Sequence, residues 1–154
     1  MQFFANVQNA VFNVLAPIQS PQAQLELAVA NGNTVELERL VAEHQLDPSS
    51  VVNSYNQTLL MVACANGQAD MFKYLRSKYQ WNIMTTQATT GDSLLHMAAR
   101  SGNLELVKLL VVEGLLASQR NAQRQNPYDV ANDKVGLIKQ FLLPHVFQDE
   151  QKDG

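Results

Sequence analysis

The chain has one cysteine, Cys64, in 154 residues, so no intrachain disulfide can form, which fits a reducing compartment. No apolar run approaches the ~18 residues needed to span a bilayer. The start, Met1-Gln2-Phe3-Phe4-Ala5-Asn6, lacks a basic region and is soon broken by Asn and Gln, unlike a secretory signal. Charge is sparse: charged residues make up 16%, the net charge is -3, and Lys and Arg are scattered. That argues against nucleic acid and anionic membrane surfaces as partners. The three histidines, His44, His96 and His145, show no HxxxH or HExxH spacing, so no metal site is expected. There is no Gly-rich phosphate loop, no GxSxG and no paired-carboxylate motif, so neither an enzyme nor a cofactor is expected. What is present is a 46% apolar content, enough for a packed core, in a length that suits one domain.

The apolar residues are arranged in a repeat. The elements Ala28…Gly32, Ala63…Gly67 and Ala98…Gly102 share one internal spacing and succeed each other at 35 residues. Their surroundings, LELAVANGNTVELERLV, LMVACANGQADMFKYLR and LHMAARSGNLELVKLLV, align without a gap. A fourth copy starts at Asn126-Pro127-Tyr128-Asp129-Val130-Ala131, with Tyr128 33 residues after Leu95. It then degrades: Val135 stands where the glycine should be, and its second helix reads as shortened.

Each copy reads as two short antiparallel helices. In the third, the first helix is expected over 94–101, and Gly102 supplies the left-handed residue that ends it. Asn103 can cap the next, expected over 104–112, whose apolar stripe includes Leu106, Val107, Leu109 and Leu110. Such helices are too short to stand alone and need neighbours on both sides, the logic of a stacked solenoid. Thr58 and Ser93 hold equivalent hydroxyl positions at helix starts, where capping explains them. Cys64 sits at a small-residue position and reads as a buried filler. Trp81 falls at the 35-residue spacing from Leu46, where an apolar residue recurs, so burial under a loop is expected. Glu36, Glu38, Glu43 and Arg39, like Glu105 and Lys108, read as solvated helix faces.

The pattern resembles the ankyrin repeat, carried best by Gly91, Ser93, Leu95, His96, Ala98, Ala99, Gly102, Val107, Leu109, Leu110 and Gly114. The second copy keeps Thr58, Leu60, Ala63, Gly67 and Leu75, and the fourth keeps Pro127, Asp129 and Ala131. The family's Thr-Pro-Leu-His is complete nowhere in the chain. The resemblance covers about 22–143 and implies an all-α ankyrin-repeat solenoid of stacked helix pairs with extended, hairpin-like loops. One domain, 1–154, is expected, with repeats over 22–53, 54–88, 89–121 and 122–143. By family register, His96 ties neighbouring repeat backbones by hydrogen bonds, and Leu116 matches Trp81. The sequon-like Asn56-Gln57-Thr58 is then a turn rather than a glycosylation site.

The ends need caps. Phe4, Val7, Val11, Val14 and Ile18 recur at helical steps, so 1–20 reads as an amphipathic capping helix, or else as a segment that docks on a partner or self-associates. Without such self-association the chain is expected to be monomeric. Ser20 and Pro21 fit the cap and first position of the next helix. At the other end Leu137, Ile138, Phe141, Leu142 and Leu143 close the fourth copy. Pro144 is expected to stop that helix, leaving 144–154 as a polar tail that frays over 148–154.

The resemblance implies a non-enzymatic protein-protein interaction module: an adaptor, scaffold or inhibitor that binds another protein through loop tips and inner helices. The alternative is an assembly subunit using the N-terminal helix. Family-variable positions give the candidate surface: Tyr55, Gln57, Ala65 and Asn66, then Thr89, Thr90, Asp92, Arg100 and Ser101, then Gln123, Gln125 and Asp133. Tyr55 and Arg100 are the residue types favoured at binding hot spots. A cytoplasmic or nuclear location is expected, or delivery into a host cell as a bacterial effector.

Overall fold

A computed structural model describes residues 20–152. The capping helix expected over 1–20 lies almost wholly outside the described residues. The elements run α1 (Pro21–Ala30), α2 (Thr34–His44), a 3₁₀ turn (Pro48–Ser50), α3 (Leu59–Ala65), α4 (Ala69–Lys78), α5 (Leu94–Ser101), α6 (Leu104–Val112), α7 (Pro127–Val130) and α8 (Leu137–Lys152). Among the described residues no strand forms, and one isolated antiparallel bridge joins Val52 to Thr58.

Local chemistry sets the helix starts. Ser20, Thr58, Ser93 and Asn126 each accept a backbone N–H three residues on, from Ala23, Met61, His96 and Asp129 respectively. Asn33 and Asn103 do the same for α2 and α6. The inter-helix turns depend on left-handed residues: Gly32, Gly67 and Gly102 have φ of 69°, 65° and 80°. Three glycines at equal spacing thus occupy equivalent backbone settings.

Equivalent positions also share one core. Leu25, Leu60 and Leu95 are buried, as are Leu37, Phe72 and Val107, and Leu40, Leu75 and Leu110. Truncating any of these leucines to Ala costs about 2–5 kcal/mol. The first helices of successive copies pack side by side, α1 on α3, α3 on α5 and α5 on α7. Ala28, Ala63, Cys64, Ala98 and Ala99, all buried, permit this approach. The second helices form the other layer, laced between copies by ion pairs. Lys78 meets Glu38, Lys73 meets Glu105 at 2.6 Å, and Arg76 meets Glu113 at 3.3 Å.

The fourth copy corrects three expectations. Its first helix, not its second, is the short one: α7 is one turn and α8 is 16 residues long. The left-handed turn falls on Gly136, at φ 78°, one residue beyond Val135. Pro144 does not end α8, which continues to Lys152, so the stretch 148–154, expected to fray, is helical through its described length. A proline forfeits the hydrogen bond to the carbonyl four residues back. Here tertiary anchoring outweighs that loss: Val146 is buried, and Asp149 Oδ2 accepts the Ala117 N–H at 2.8 Å.

Candidate interaction surface

Three fingers precede α3, α5 and α7; counted with the helix pairs they lead into, so that Asn53, Gln87 and Asn121 go with the copy that follows them, they are the second, third and fourth fingers, and each is closed by a backbone bond: Asn53 N–H to Gln57 O (3.0 Å), Gln87 N–H to Asp92 O (2.9 Å) and Asn121 N–H to Gln125 O (2.9 Å). A left-handed residue turns each one, Asn56 at φ 58°, Gly91 at 70° and Arg124 at 61°. This explains Asn56-Gln57-Thr58 as turn chemistry followed by a helix cap.

The residues that hold the finger bases were not singled out by sequence. Asn53, Gln87 and Asn121 stand 34 residues apart, a different period from the glycines because the third finger carries one extra residue. Asn53 Oδ1 accepts from Tyr55 and Gln57 N–H, and Asn121 Oδ1 from Gln123 and Gln125 N–H. Each side chain also reaches back one copy. Asn53 Nδ2 donates to Glu26 Oε1 at 2.8 Å, Gln87 Nε2 to Tyr55 O at 2.9 Å, and Asn121 Nδ2 to Asp92 Oδ1 at 2.9 Å. The recurrence of amide residues at a fixed step was the available signal.

His96 is fully buried and joins the third and fourth copies. Its Nδ1 lies 3.1 Å from Ser93 N and 2.8 Å from Ser93 Oγ, and its Nε2 lies 2.8 Å from Gln125 O. The Ser93 N–H can only donate, so Nδ1 is bare and Nε2 carries the proton to the carbonyl. Burial first, with a smaller contribution from Arg100, holds the imidazole below its ordinary pKa, and the Gln125 carbonyl and nearby carboxylates only partly offset this. The role implied for His96 is therefore what the geometry shows. Cys64 is buried, and burial pushes its thiol pKa up, away from nucleophile chemistry. Trp81 is half-buried and its indole N–H donates to Leu75 O at 2.9 Å. Its supposed counterpart Leu116 is 45% exposed. The buried residue is Leu115, because the turn after α6 closes one residue earlier than the turn after α2.

The predicted surface residues separate into groups. Tyr55 is 69% exposed at the tip of the second finger. Thr89, Thr90, Arg100 and Gln123 are exposed around a cleft of about 300 Å³ between the third and fourth fingers. Asp92 lines the same cleft but is only 3% exposed, so it is not the surface contact expected of it. It is drawn inward because Arg100 Nη1 donates to its Oδ2 and Asn121 to its Oδ1. Burial alone pushes that carboxyl up, and the bonds from Arg100 and Asn121 more than reverse it, leaving the pKa lowered. Gln57 and Gln125 are half-buried, the first accepting from Asn53 Nδ2 at 3.1 Å and the second serving His96 through its carbonyl. Asn66 and Ala65 are exposed at the end of α3, away from this cleft. Half-buried Ser101 donates to Ala98 O, and half-buried Asp133 accepts the Lys139 N–H. Both border a second cleft, of about 380 Å³, beside α8.

Among the described residues, no three His, Cys, Asp or Glu side chains gather as metal ligands, and no helix is long and apolar enough to cross a membrane.

Residues 55–85 and 90–124 each match a family profile described as the ankyrin repeat. The human ASB11 ankyrin repeat domain superposes with a TM-score of 0.64 at 30% identity, covering 79% of this chain and 52% of that one. Protein ACCELERATED CELL DEATH 6 of Arabidopsis thaliana is 40% identical over 68 residues, 44% of this chain and 10% of that protein. Protein fem-1 homolog A-like of Mus musculus is 33% identical over 72 residues, 47% of this chain and 11% of that protein. The chain spans between 8% and 17% of the length of the curated relatives it matches.

Proposed function

Because the chain belongs to the ankyrin-repeat family, a fold of protein-protein interaction, we propose that it is an adaptor, scaffold or inhibitor whose partner lies across the second, third and fourth fingers. The observation that carries this is the exposed row formed by Tyr55, Thr89, Thr90 and Gln123 on three fingers anchored at their bases by buried or half-buried amides, joined by Arg100 from α5. A rigid base with free tips lets side chains vary without disturbing the core. Tyr55 is ordered through its neighbour, since Gln87 of the third finger holds its carbonyl. With that carbonyl fixed, the ring offers contact area at the cost of ordering its two side-chain torsions. The outer layer suits docking less, because its charges are largely spent on one another.

The test compares partner capture by the immobilised wild-type chain, a Tyr55→Ala/Arg100→Ala variant and an Asp70→Asn control on the exposed side of α4. A specific partner should be retained by wild type and control and lost by the double variant. Equal retention by all three, with unchanged melting temperatures, would remove this surface from consideration.

A further inference from the structure

Arg100 is tethered on one side only. Its Nη1 is bound to Asp92, and no other hydrogen bond of its guanidinium is present among the described residues. The side chain remains 48% exposed, whereas that of Asp92 is 4% exposed. Both Asp92 oxygens are already engaged, one by Arg100 and the other by Asn121. The buried carboxylate therefore holds the arginine fork and turns its two oxygens to Arg100 and Asn121. Around the fork stand the Thr89 hydroxyl and the Gln123 amide, both exposed and neither engaged in a side-chain hydrogen bond among the described residues. The cleft is thus rich in unspent donors, and its one carboxylate is turned inward.

We propose that this cleft takes an acidic side chain of the docking partner, with Arg100 pairing with the carboxylate and Thr89 and Gln123 flanking it. The inference deepens the docking reading above and rests on it. A planar guanidinium matches a carboxylate through two parallel N–H bonds, which a neutral carbonyl cannot reproduce. Holding the fork by Asp92 removes part of the entropy that a free arginine loses on binding. Asn121 adds a second tie, because it orients Asp92 and the backbone of Gln123 together. Asp92 acts here as a positioning residue and does not touch the ligand.

The test titrates the isotope-labelled full chain with N-acetylglutamate N-methylamide and, separately, with its neutral isostere N-acetylglutamine N-methylamide, read by NMR. The glutamate probe should shift the Arg100 Nε–H and the Thr89, Thr90 and Gln123 amides saturably. It should do so at about two- to fivefold lower concentration than the glutamine probe, the range expected of one exposed ion pair. Added salt should erode the difference, and Arg100→Gln should abolish it. Equal responses to the two probes would show that the cleft reads a carbonyl and would overturn the assignment. So would the absence of saturable shifts, or a preference that survives Arg100→Gln. The probe comparison on the wild-type chain needs no variant to fold. Its failure leaves partner docking standing, because that is decided separately by capture with the Tyr55→Ala/Arg100→Ala chain.

Discussion

His96→Ala should cost more than its size suggests and should act on one junction. The ring serves two copies at once, through Ser93 and Gln125. Removing it leaves the buried Ser93 N–H without its one partner among the described residues, a penalty of about 1–3 kcal/mol. The bond to Gln125 O is worth about 0.5–1.5 kcal/mol, at the lower cost of a carbonyl that keeps the Asn121 N–H. Together these give about 3 kcal/mol before any cavity is counted. Urea unfolding followed by circular dichroism measures the total. Hydrogen exchange locates it: protection should fall over 121–152 well before it falls over 59–78, since stability in stacked repeats is held in nearest-neighbour contacts. A loss below about 1 kcal/mol, or faster exchange spread evenly along the chain, would refute the argument.

The remaining predictions concern pH and the backbone. Since burial holds the folded-state pKa of His96 down, its contribution to stability is complete above the unfolded value of about 6.5 and is lost as pH falls from there toward the lowered folded value. Melting temperatures from pH 8 to 5 should therefore fall more steeply for wild type than for His96→Gln, and parallel curves would contradict the neutral assignment. Gly102→Ala and Gly136→Ala meet similar strain, about 1–2 kcal/mol, at φ 80° and 78°. A Cβ at 102 also falls 2.9 Å from the Asn132 carbonyl, whereas one at 136 has nothing within 4 Å, so calorimetry should rank Gly102→Ala as clearly the worse. Pro144→Ala restores an N–H inside α8 and should raise stability by about 1–3 kcal/mol; a lowered melting temperature would mean that the proline itself helps seat Val146 and Asp149.

Much of the architecture could be read from spacing. Gly32, Gly67 and Gly102 recur because a left-handed turn admits few other residues, and the leucines around them recur because the stack buries the same face in each copy. The limits of α5 and α6 followed from Ser93, Gly102 and Asn103, whose cap chemistry is local. Where local and tertiary forces oppose each other, the sequence misled. Pro144 is a helix breaker by propensity, yet α8 is held beyond it by Val146 and by the bond from Ala117 to Asp149. Leu116 yielded to Leu115 because a turn shortened by one residue shifts which side chain points inward. For the candidate surface, family register picked out Thr89, Thr90, Arg100 and Gln123 without showing that they border one cleft. It could not show that Asp92 turns inward, because that depends on Asn121 arriving from the next copy. The amides at 53, 87 and 121 escaped notice because their step of 34 differs from the dominant period of 35.

The amide ties between copies have a direction. Asn53 and Gln68 of the second copy donate to Glu26 and Ala30 of the first, Gln87 and Asn103 of the third to Tyr55 and Gly67 of the second, and Asn121 and Asn132 of the fourth to Asp92 and Ala99 of the third. During synthesis a later segment thus arrives carrying the hydrogens, and the oxygens it needs are already presented by the segment before it. At these six ties the waiting surface shows acceptors, which water satisfies cheaply, while His96, Lys73 and Arg76 donate the other way, so the amide ties favour adding one unit at a time in the order in which the ribosome releases them.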